Sequence, residues 1–143
     1  MHKPDKGRET ILVVEDIPEV MKVVTHLLEL SDYFVLKAKT GEEAIQIFKE
    51  NLDKINLVLL DLILPGISGK AVYQNIQRTA PTIPVLFSTG TSEYDEDITF
   101  LENQGLPIIK KPYSLKDLNA SIRHALNPSH AGTDRVTNAL QTH

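Results

Sequence analysis

Short apolar runs rich in branched residues alternate along this chain with longer segments of helical period. The candidate strands are Ile11–Val14, Tyr33–Ala38, Ile55–Leu60, Ile83–Ser88 and Pro107–Ile109. Nearly continuous apolar runs are typical of parallel strands that helices cover on both faces. The alternation therefore predicts βαβ units around one parallel sheet, an α/β doubly wound architecture.

The helices are predicted from capping signals and apolar spacing. Thr40 and Ser114 each stand three residues before an acid, a pattern in which the hydroxyl accepts a bond from a backbone amide at a helix start. Apolar stripes follow both caps, and a further stripe begins at Val20; we expect all three to pack in the core. Two more helices are predicted near Gly69–Arg78 and Ser92–Glu102.

Composition excludes several classes of protein. The chain has 143 residues, 41% of them hydrophobic, which suits one folded domain rather than a disordered chain. The absence of cysteine excludes disulfide scaffolds, thiolate zinc sites and cysteine nucleophiles. A net charge of 15 − 19 = −4 argues against a nucleic-acid or membrane-surface binder.

The two ends of the chain are predicted to lie outside the folded domain. Residues 1–8 form a charged lead without the apolar stretch of a signal peptide, and no run approaches the ~20 residues that span a bilayer, so we expect a cytoplasmic protein. We expect the domain to cover residues 9–126. Residues 127–143 read as a flexible tail too short for an output domain such as a helix-turn-helix.

Acidic residues follow two of the predicted strands. The first strand ends in Glu15 and Asp16, and the third ends in Asp61. If the strand order is 2-1-3-4-5, these strands are neighbours and the three carboxylates meet at the carboxyl edge of the sheet, where open α/β sheets bind ligands. Their repulsion calls for a proton or a cation, and Mg²⁺ suits an all-oxygen pocket.

The remaining strand ends complete a set of groups suited to phosphoryl transfer. An aspartate can attack phosphorus, and the negative oxygens of the transferred group need a metal, a cation and a donor around them. The fourth strand ends in Ser88 and Thr89, and the fifth in Lys110 and Lys111. An acid at a strand end is more often a solvated loop residue or cap. The convergence of four complementary strand ends argues against coincidence.

Four segments in order resemble the receiver domain of two-component response regulators. They are Ile11–Asp16 with the acidic pair, Leu57–Gly69 with the phosphoacceptor and the turn at Pro65-Gly66, Pro84–Gly90, and the Lys-Pro-aromatic segment Lys111–Tyr113. The resemblance spans roughly Glu9 to Leu126. It implies a flavodoxin-like fold with a five-stranded sheet in the order 2-1-3-4-5.

The resemblance assigns a role to each site residue. It implies that Asp61 is phosphorylated, that Asp16 and Asp61 bind Mg²⁺ directly, that the backbone carbonyl of Ile63 is a third ligand, and that Glu15 acts through water. It further implies that Thr89 bonds the phosphoryl group and that Lys111 pairs with that group or with Asp61. These last two assignments depend on the residue that follows each position.

In this family, the residue with the functional hydroxyl directly precedes a small residue, and the functional lysine directly precedes a proline, usually across a cis peptide bond. Gly90 therefore selects Thr89 over Ser88, and Pro112 selects Lys111 over Lys110. For Ser88 and Lys110 we expect packing and solvation.

The implied function is that of a phosphoacceptor that takes its phosphoryl group from a histidine kinase or a histidine phosphotransfer protein. It would catalyse only its own phosphorylation and dephosphorylation, switch protein contacts, and be a monomer or a weak phosphorylation-dependent dimer. Two contexts stay open, a stand-alone regulator and the receiver module of a hybrid sensor histidine kinase. Glu9–Asp16 and Ser88-Thr89-Gly90 favour the hybrid kinase.

Two isoleucines bear on how the phosphorylated form would behave. Ile108 stands where many receivers carry Tyr or Phe, which argues against a ring-flip readout through the fourth helix and fifth strand. Ile63 is apolar where a polar side chain would orient an attacking water, so we expect slow to moderate autodephosphorylation.

Other functions fit the sequence less well. A haloacid dehalogenase-type phosphatase needs a second Asp at the position of Ile63, and a dinucleotide-binding enzyme needs a glycine-rich turn in place of Glu15–Glu19. His26 and His124 lie outside any phosphodonor motif, so we expect ordinary helix residues. A pseudo-receiver that binds partners without phosphorylation is the remaining alternative, although all five site residues are present.

Overall fold

The computed structural model describes residues 8–90 and 96–127. Within them, strands and helices alternate in the order β1 (Thr10–Val14), α1 (Pro18–Leu30), β2 (Phe34–Ala38), α2 (Gly41–Glu50), β3 (Ile55–Asp61), α3 (Gly69–Thr79), β4 (Val85–Thr89), α4 (Glu96–Asn103), β5 (Ile108–Lys110) and α5 (Leu115–Leu126). The predicted helix start at Ser92, residues 1–7 of the lead and residues 128–143 of the tail lie outside the described residues. No helix in the described ranges is long and apolar enough to cross a membrane.

The sheet has the predicted strand order. All pairs are parallel, and the order is β2-β1-β3-β4-β5. Four strands start one or two residues away from the prediction: β1 begins at Thr10 rather than Ile11, β2 at Phe34 rather than Tyr33, β4 at Val85 rather than Ile83, and β5 at Ile108 rather than Pro107. A proline precedes β4 and β5 and lacks the N–H that a ladder bond requires. At the other end, β3 and β4 run on to include Asp61 and Thr89.

Two apolar clusters cover the two faces of the sheet. One face packs against α2, α3 and α4, and the other against α1 and α5. Alternation along β3 shows the division, because Val58 and Leu60 point to the first cluster while Leu57 and Leu59 point to the second. The doubly wound, flavodoxin-like architecture is therefore confirmed.

Hydroxyl caps begin three of the helices. Thr40 Oγ1 accepts a hydrogen bond from the Glu43 amide at 3.0 Å, and Ser114 Oγ accepts one from the Asp117 amide at 3.0 Å, so both predicted caps are confirmed. Ser68 caps α3 in the same way, through a bond from the Ala71 amide to its Oγ at 3.1 Å. The last cap follows the loop that leaves Asp61 and fixes where that loop ends.

Candidate functional site

Strand alternation places most of the predicted site residues on one side of the sheet. Leu59 of β3 and Leu86 of β4 face α1 and α5, so Asp61 and Ser88, each two residues further on, face the same side. Thr89 follows the opposite parity, that of Phe87. The acids and the hydroxyl of Thr89 therefore lie at the same edge of the sheet, although Thr89 belongs to the opposite face.

The three predicted acids meet at that edge. Glu15, Asp16 and Asp61 each offer a carboxylate oxygen, and these oxygens lie within 4.8 Å of one another. Glu15 and Asp61 are buried, being 3% and 5% exposed, whereas Asp16 is half-buried. An all-oxygen set with one solvent-facing member fits a hard divalent cation such as Mg²⁺, which keeps several waters when bound.

Backbone amides fix two of these carboxylates. The Ile17 amide donates to Glu15 Oε2 at 3.1 Å, and the Ile63 amide donates to Asp61 Oδ1 at 3.1 Å. Each bond joins residues only two apart, so the turn that follows each strand orients the acid at its end. The second oxygen of each carboxylate remains for other contacts.

Lys111 occupies the space between the two buried acids. Its Nζ donates to Glu15 Oε1 at 2.8 Å and to Asp61 Oδ2 at 3.0 Å. Burial alone would lower the pKa of Lys111, but these two carboxylates outweigh it and raise the pKa above its usual value. The ammonium group is therefore a permanent positive charge inside the acidic cluster.

The contact of Lys111 with Glu15 was not predicted from the sequence, where the resemblance implied that Lys111 pairs with the phosphoryl group or with Asp61. The signal was available in the alternation of the strands. Ile11 and Val13 face α1 and α5, as does Ile109, so Glu15 and Lys111 continue their strands on the same side as Asp61.

The surroundings of Asp61 favour its protonated form. Burial, as the larger cause, and the neighbouring Glu15 charge raise its pKa, which lies at about 6 instead of 3.8 once all the neighbours have acted. Lys111 and the Ile63 amide act against both effects without cancelling them. Asp61 is therefore poised to ionise near neutral pH, and an added cation would favour its charged form.

Thr89 brings a hydroxyl group without a fixed partner. Thr89 is 1% exposed, and its Oγ1 has no hydrogen-bond partner among the described residues. Its carbonyl accepts a bond from the Lys111 amide at 2.7 Å, which ties the end of β5 to the end of β4. A buried, unpaired hydroxyl at a strand end is free to bond an anion that arrives there.

The loop after Asp61 depends on two glycines. Gly66 has φ of 77°, which a type II turn after Pro65 requires, as the sequence indicates. Gly69 lies directly against the end of β3. A Cβ at this position would overlap the Asp61 carbonyl oxygen. Gly69 therefore lets α3 begin directly against the strand that carries Asp61.

The remaining predicted positions are placed as follows. The Lys111-Pro112 peptide bond is cis. Ile108 is half-buried and packs against the α2–α4 side of the core. Ser88 is buried and Lys110 exposed, as predicted, and both His26 and His124 are exposed on their helices.

Comparison with known proteins gives a consistent result. The sequence profile of a family described as the response regulator receiver domain matches residues 11–123. A probable transcriptional regulator, ycf27, of Porphyridium aerugineum is 36% identical over 119 residues, which cover 83% of this chain and 48% of that protein. The chain thus spans about half the length of the curated relatives it matches.

Solved structures of similar sequence share the fold. A response regulator receiver domain protein from Clostridium thermocellum superposes with a TM-score of 0.78 at 28% identity, covering 86% of this chain and 98% of that one. The receiver domain of the hybrid histidine kinase CckA gives a TM-score of 0.68 at 32% identity, covering 82% and 98%. The family match, over residues 11–123, includes every residue of the site.

Proposed function

We propose, since this chain belongs to the response regulator receiver domain family, that Asp61 accepts a phosphoryl group from a phosphohistidine on a partner protein. The chain is a signalling module of two-component systems. The observation that carries the assignment to Asp61 is the bridge from Lys111 Nζ to Glu15 and Asp61, because it gathers a nucleophile, an acid and a cation at one point.

The transfer proceeds by attack of an Asp61 carboxylate oxygen on phosphorus. The new O–P bond forms as the P–N bond to the imidazole breaks, and the departing electron pair stays on the imidazole nitrogen, which then takes a proton. Asp61 must be ionised to attack. Its pKa of about 6 leaves the carboxylate available at neutral pH while retaining more basicity than an exposed aspartate.

The acidic cluster fits Mg²⁺ at this site. Asp16 and Asp61 would bind it with the Ile63 carbonyl, while Glu15 would hold one of its waters; the donors are oxygens, as this cation requires. Bound there, the ion would neutralise charge on the phosphoryl oxygens.

Lys111 and Thr89 complete the surroundings of the phosphoryl group. Lys111 lies against Asp61 and carries a charge that burial does not remove, so it can pair with a phosphoryl oxygen once Asp61 has been modified. The unpaired hydroxyl of Thr89 can donate to another. Its movement toward the phosphate would pull on the chain after Gly90 and thereby change the exposed surface.

We also propose that the partner protein docks on α1. Ile17, Val23 and Leu30 are 44%, 57% and 61% exposed along this helix and the residue before it. Val20 and Leu27, which are half-buried against the core, complete the three- and four-residue spacing of a helix seam that begins beside Asp16. The expectation that the whole stripe from Val20 packs in the core is therefore wrong at Val23. A helix of a kinase or phosphotransfer protein that covered this stripe would hold its histidine at the site.

We place the protein in the cytoplasm, where histidine kinases hold their phosphorylated histidines. The curated relatives are transcriptional regulators about twice as long, and a solved relative belongs to a hybrid kinase. Whether it belongs to a regulator or to a hybrid kinase, the receiver domain would act through protein–protein contacts.

The test is to locate the phosphoryl group chemically. Incubation with phosphoramidate and Mg²⁺, followed by borohydride reduction and peptide mass spectrometry, is expected to convert Asp61 to homoserine. Asp61→Asn should remain unmodified, whereas Asp53→Asn, at an exposed position, should react as the wild type does. Reduction at another residue in the wild type, or none, would refute the assignment and favour a pseudo-receiver.

A further inference from the structure

We propose that residues 136–140 of this chain dock in an apolar cavity at the amino edge of the sheet. This is the edge at which β4 and β5 begin, and it lies opposite to the edge that carries Asp61. The inference does not depend on phosphoryl transfer. It concerns a part of the domain that the proposed function leaves without a role.

The cavity lies between α3, the end of α5 and the segments that lead into β4 and β5. Its volume is about 480 Å³, which falls among the volumes of ligand pockets in proteins, about 300–1,000 Å³. Apolar side chains form most of its walls, among them Ile83, Pro84, Leu106 and Ala125. None of the described residues that line it is an aspartate, glutamate, lysine or arginine. Such a cavity favours an apolar occupant without charged side chains.

The end of α5 forms one wall of this cavity and brings the following residues to it. Ala125 lines the cavity, and α5 ends one residue later, at Leu126. The Asn127 side-chain amide donates to the Arg123 carbonyl at 3.2 Å and closes the helix. The chain between positions 127 and 136 can span about 30 Å when extended, so its length does not limit docking.

The sequence of the proposed occupant suits the cavity. Val136, Ala139 and Leu140 are apolar residues at the three- and four-residue spacing that places side chains on one face of a helix. Residues 136–143 contain no Asp, Glu, Lys or Arg, so docking would bury no charged side chain. Apolar side chains of this segment can therefore enter the cavity while their polar neighbours stay in water.

A segment of the same chain has an advantage over any separate partner. A short flexible tether holds its two ends at an effective concentration on the order of millimolar. A contact too weak to hold two separate molecules together is therefore formed within one chain. For this reason we assign the cavity to residues 136–140 rather than to a second copy or to another protein.

Because the chain has no cysteine, a spin label can be placed at a single position. A nitroxide is attached to the full chain at Asn138→Cys, and the paramagnetic broadening of the amide resonances is measured by NMR. We expect strong broadening at Ile83 and Leu106, which line the cavity, and much weaker broadening at Asp16 and Ile63 on the opposite edge.

Charged substitutions separate docking from random encounters of a free tail. Val136→Asp combined with Leu140→Asp should reduce the broadening in the cavity by at least roughly 5-fold, because the new charges would have to be buried. Thr133→Asp, which adds a charge before the apolar residues, should not. On the other side of the contact, Thr82→Glu at the exposed rim of the cavity should also reduce the broadening, whereas Gln74→Glu, exposed on α3 outside the cavity, should not.

A mixed sample identifies the chain that fills the cavity. Spin-labelled chain without ¹⁵N is mixed with ¹⁵N-labelled chain without the spin label, and we expect no broadening at Ile83. Broadening in the mixed sample would mean that a second copy enters the cavity and would overturn the proposal. Broadening that persists when Val136 and Leu140 are both aspartate would overturn it as well, because the apolar side chains would then not be what binds.

Discussion

Asp61 is stabilised by its surroundings in the protonated form, and this has a consequence for folding. Its pKa is about 6 in the folded chain against an ordinary value of 3.8. The folded state therefore binds a proton that the unfolded state releases, and ionisation opposes folding. The cost is fully present above the folded pKa and disappears below the unfolded one.

Replacing Asp61 with asparagine removes that cost. In buffer free of divalent cations at about pH 7.5, we expect the free energy of unfolding of Asp61→Asn to exceed that of the wild type by about 1–3 kcal/mol, from a pKa difference of about two units. The difference should vanish near about pH 3, below the unfolded pKa. Urea unfolding at the two pH values measures it, with Asp53→Asn as control; a variant less stable than the wild type at pH 7.5 would contradict the account.

Divalent cations should reverse the balance at the same residue. Because Mg²⁺ would bind the folded carboxylate set, the wild type should gain about 1.4 kcal/mol of unfolding free energy at ten times the dissociation constant of the ion. Asp61→Asn should gain markedly less. Thermal unfolding in a Mg²⁺ titration gives the comparison, and an equal gain in both proteins would place the ion elsewhere.

At the scale of elements, the junction of β3 with α3 has the least room for change. A Cβ at position 69 would overlap the Asp61 carbonyl oxygen and would also lie 2.8 Å from the Leu62 backbone. These are backbone atoms that cannot move aside as a flexible side chain does.

Gly69→Ala is therefore expected to destabilise the protein by about 1–3 kcal/mol and to displace Asp61. Urea unfolding measures the loss, and amide NMR shifts of Asp61 and Ile63 report the displacement. Gln74→Ala, an exposed change on the same helix, serves as control. A Gly69→Ala protein with wild-type stability and unmoved resonances would show that this contact is not required.

Elements were predictable where local chemistry decides them. The caps at Thr40 and Ser114 and the turn at Gly66 depend on residues three or fewer positions apart, and the structure has them as the sequence predicts. The starts of β4 and β5 were placed too early, because apolar composition continues through residues whose neighbouring proline cannot join the ladder.

Contacts between distant residues were harder to predict. The bond from Lys111 to Glu15 joins residues 96 positions apart and depends on strand order, strand parity and side-chain reach at once. The chemistry of the site was thus visible in its strand ends, whereas its geometry was not.

At the scale of the whole molecule, the exposed apolar stripe of α1 predicts which substitutions weaken docking of the partner protein. Val23→Asp should lower the rate of transfer from a phosphorylated histidine phosphotransfer protein by at least roughly 10-fold, because a charge would be buried in the interface. The rate with phosphoramidate, which needs no docking, should not change. Leu52→Asp, at an exposed apolar position outside the stripe, is the matched control.

Equal loss with both donors in Val23→Asp would mean that the substitution disturbs the site itself. Loss with the protein donor in Leu52→Asp as well as in Val23→Asp would mean that docking is not confined to α1. Only a loss limited to the protein donor and to Val23→Asp supports the proposed interface.

The most direct measurement of the central claim uses beryllofluoride, which mimics a phosphoryl group on an aspartate. Amide NMR spectra of the wild type are recorded with beryllofluoride, with and without Mg²⁺, and compared with those of Asp61→Asn. We predict Mg²⁺-dependent shifts at Asp16, Thr89 and Lys111 in the wild type and none of them in Asp61→Asn. A wild-type spectrum that does not respond, or an equal response in Asp61→Asn, would contradict Asp61 as the phosphoacceptor.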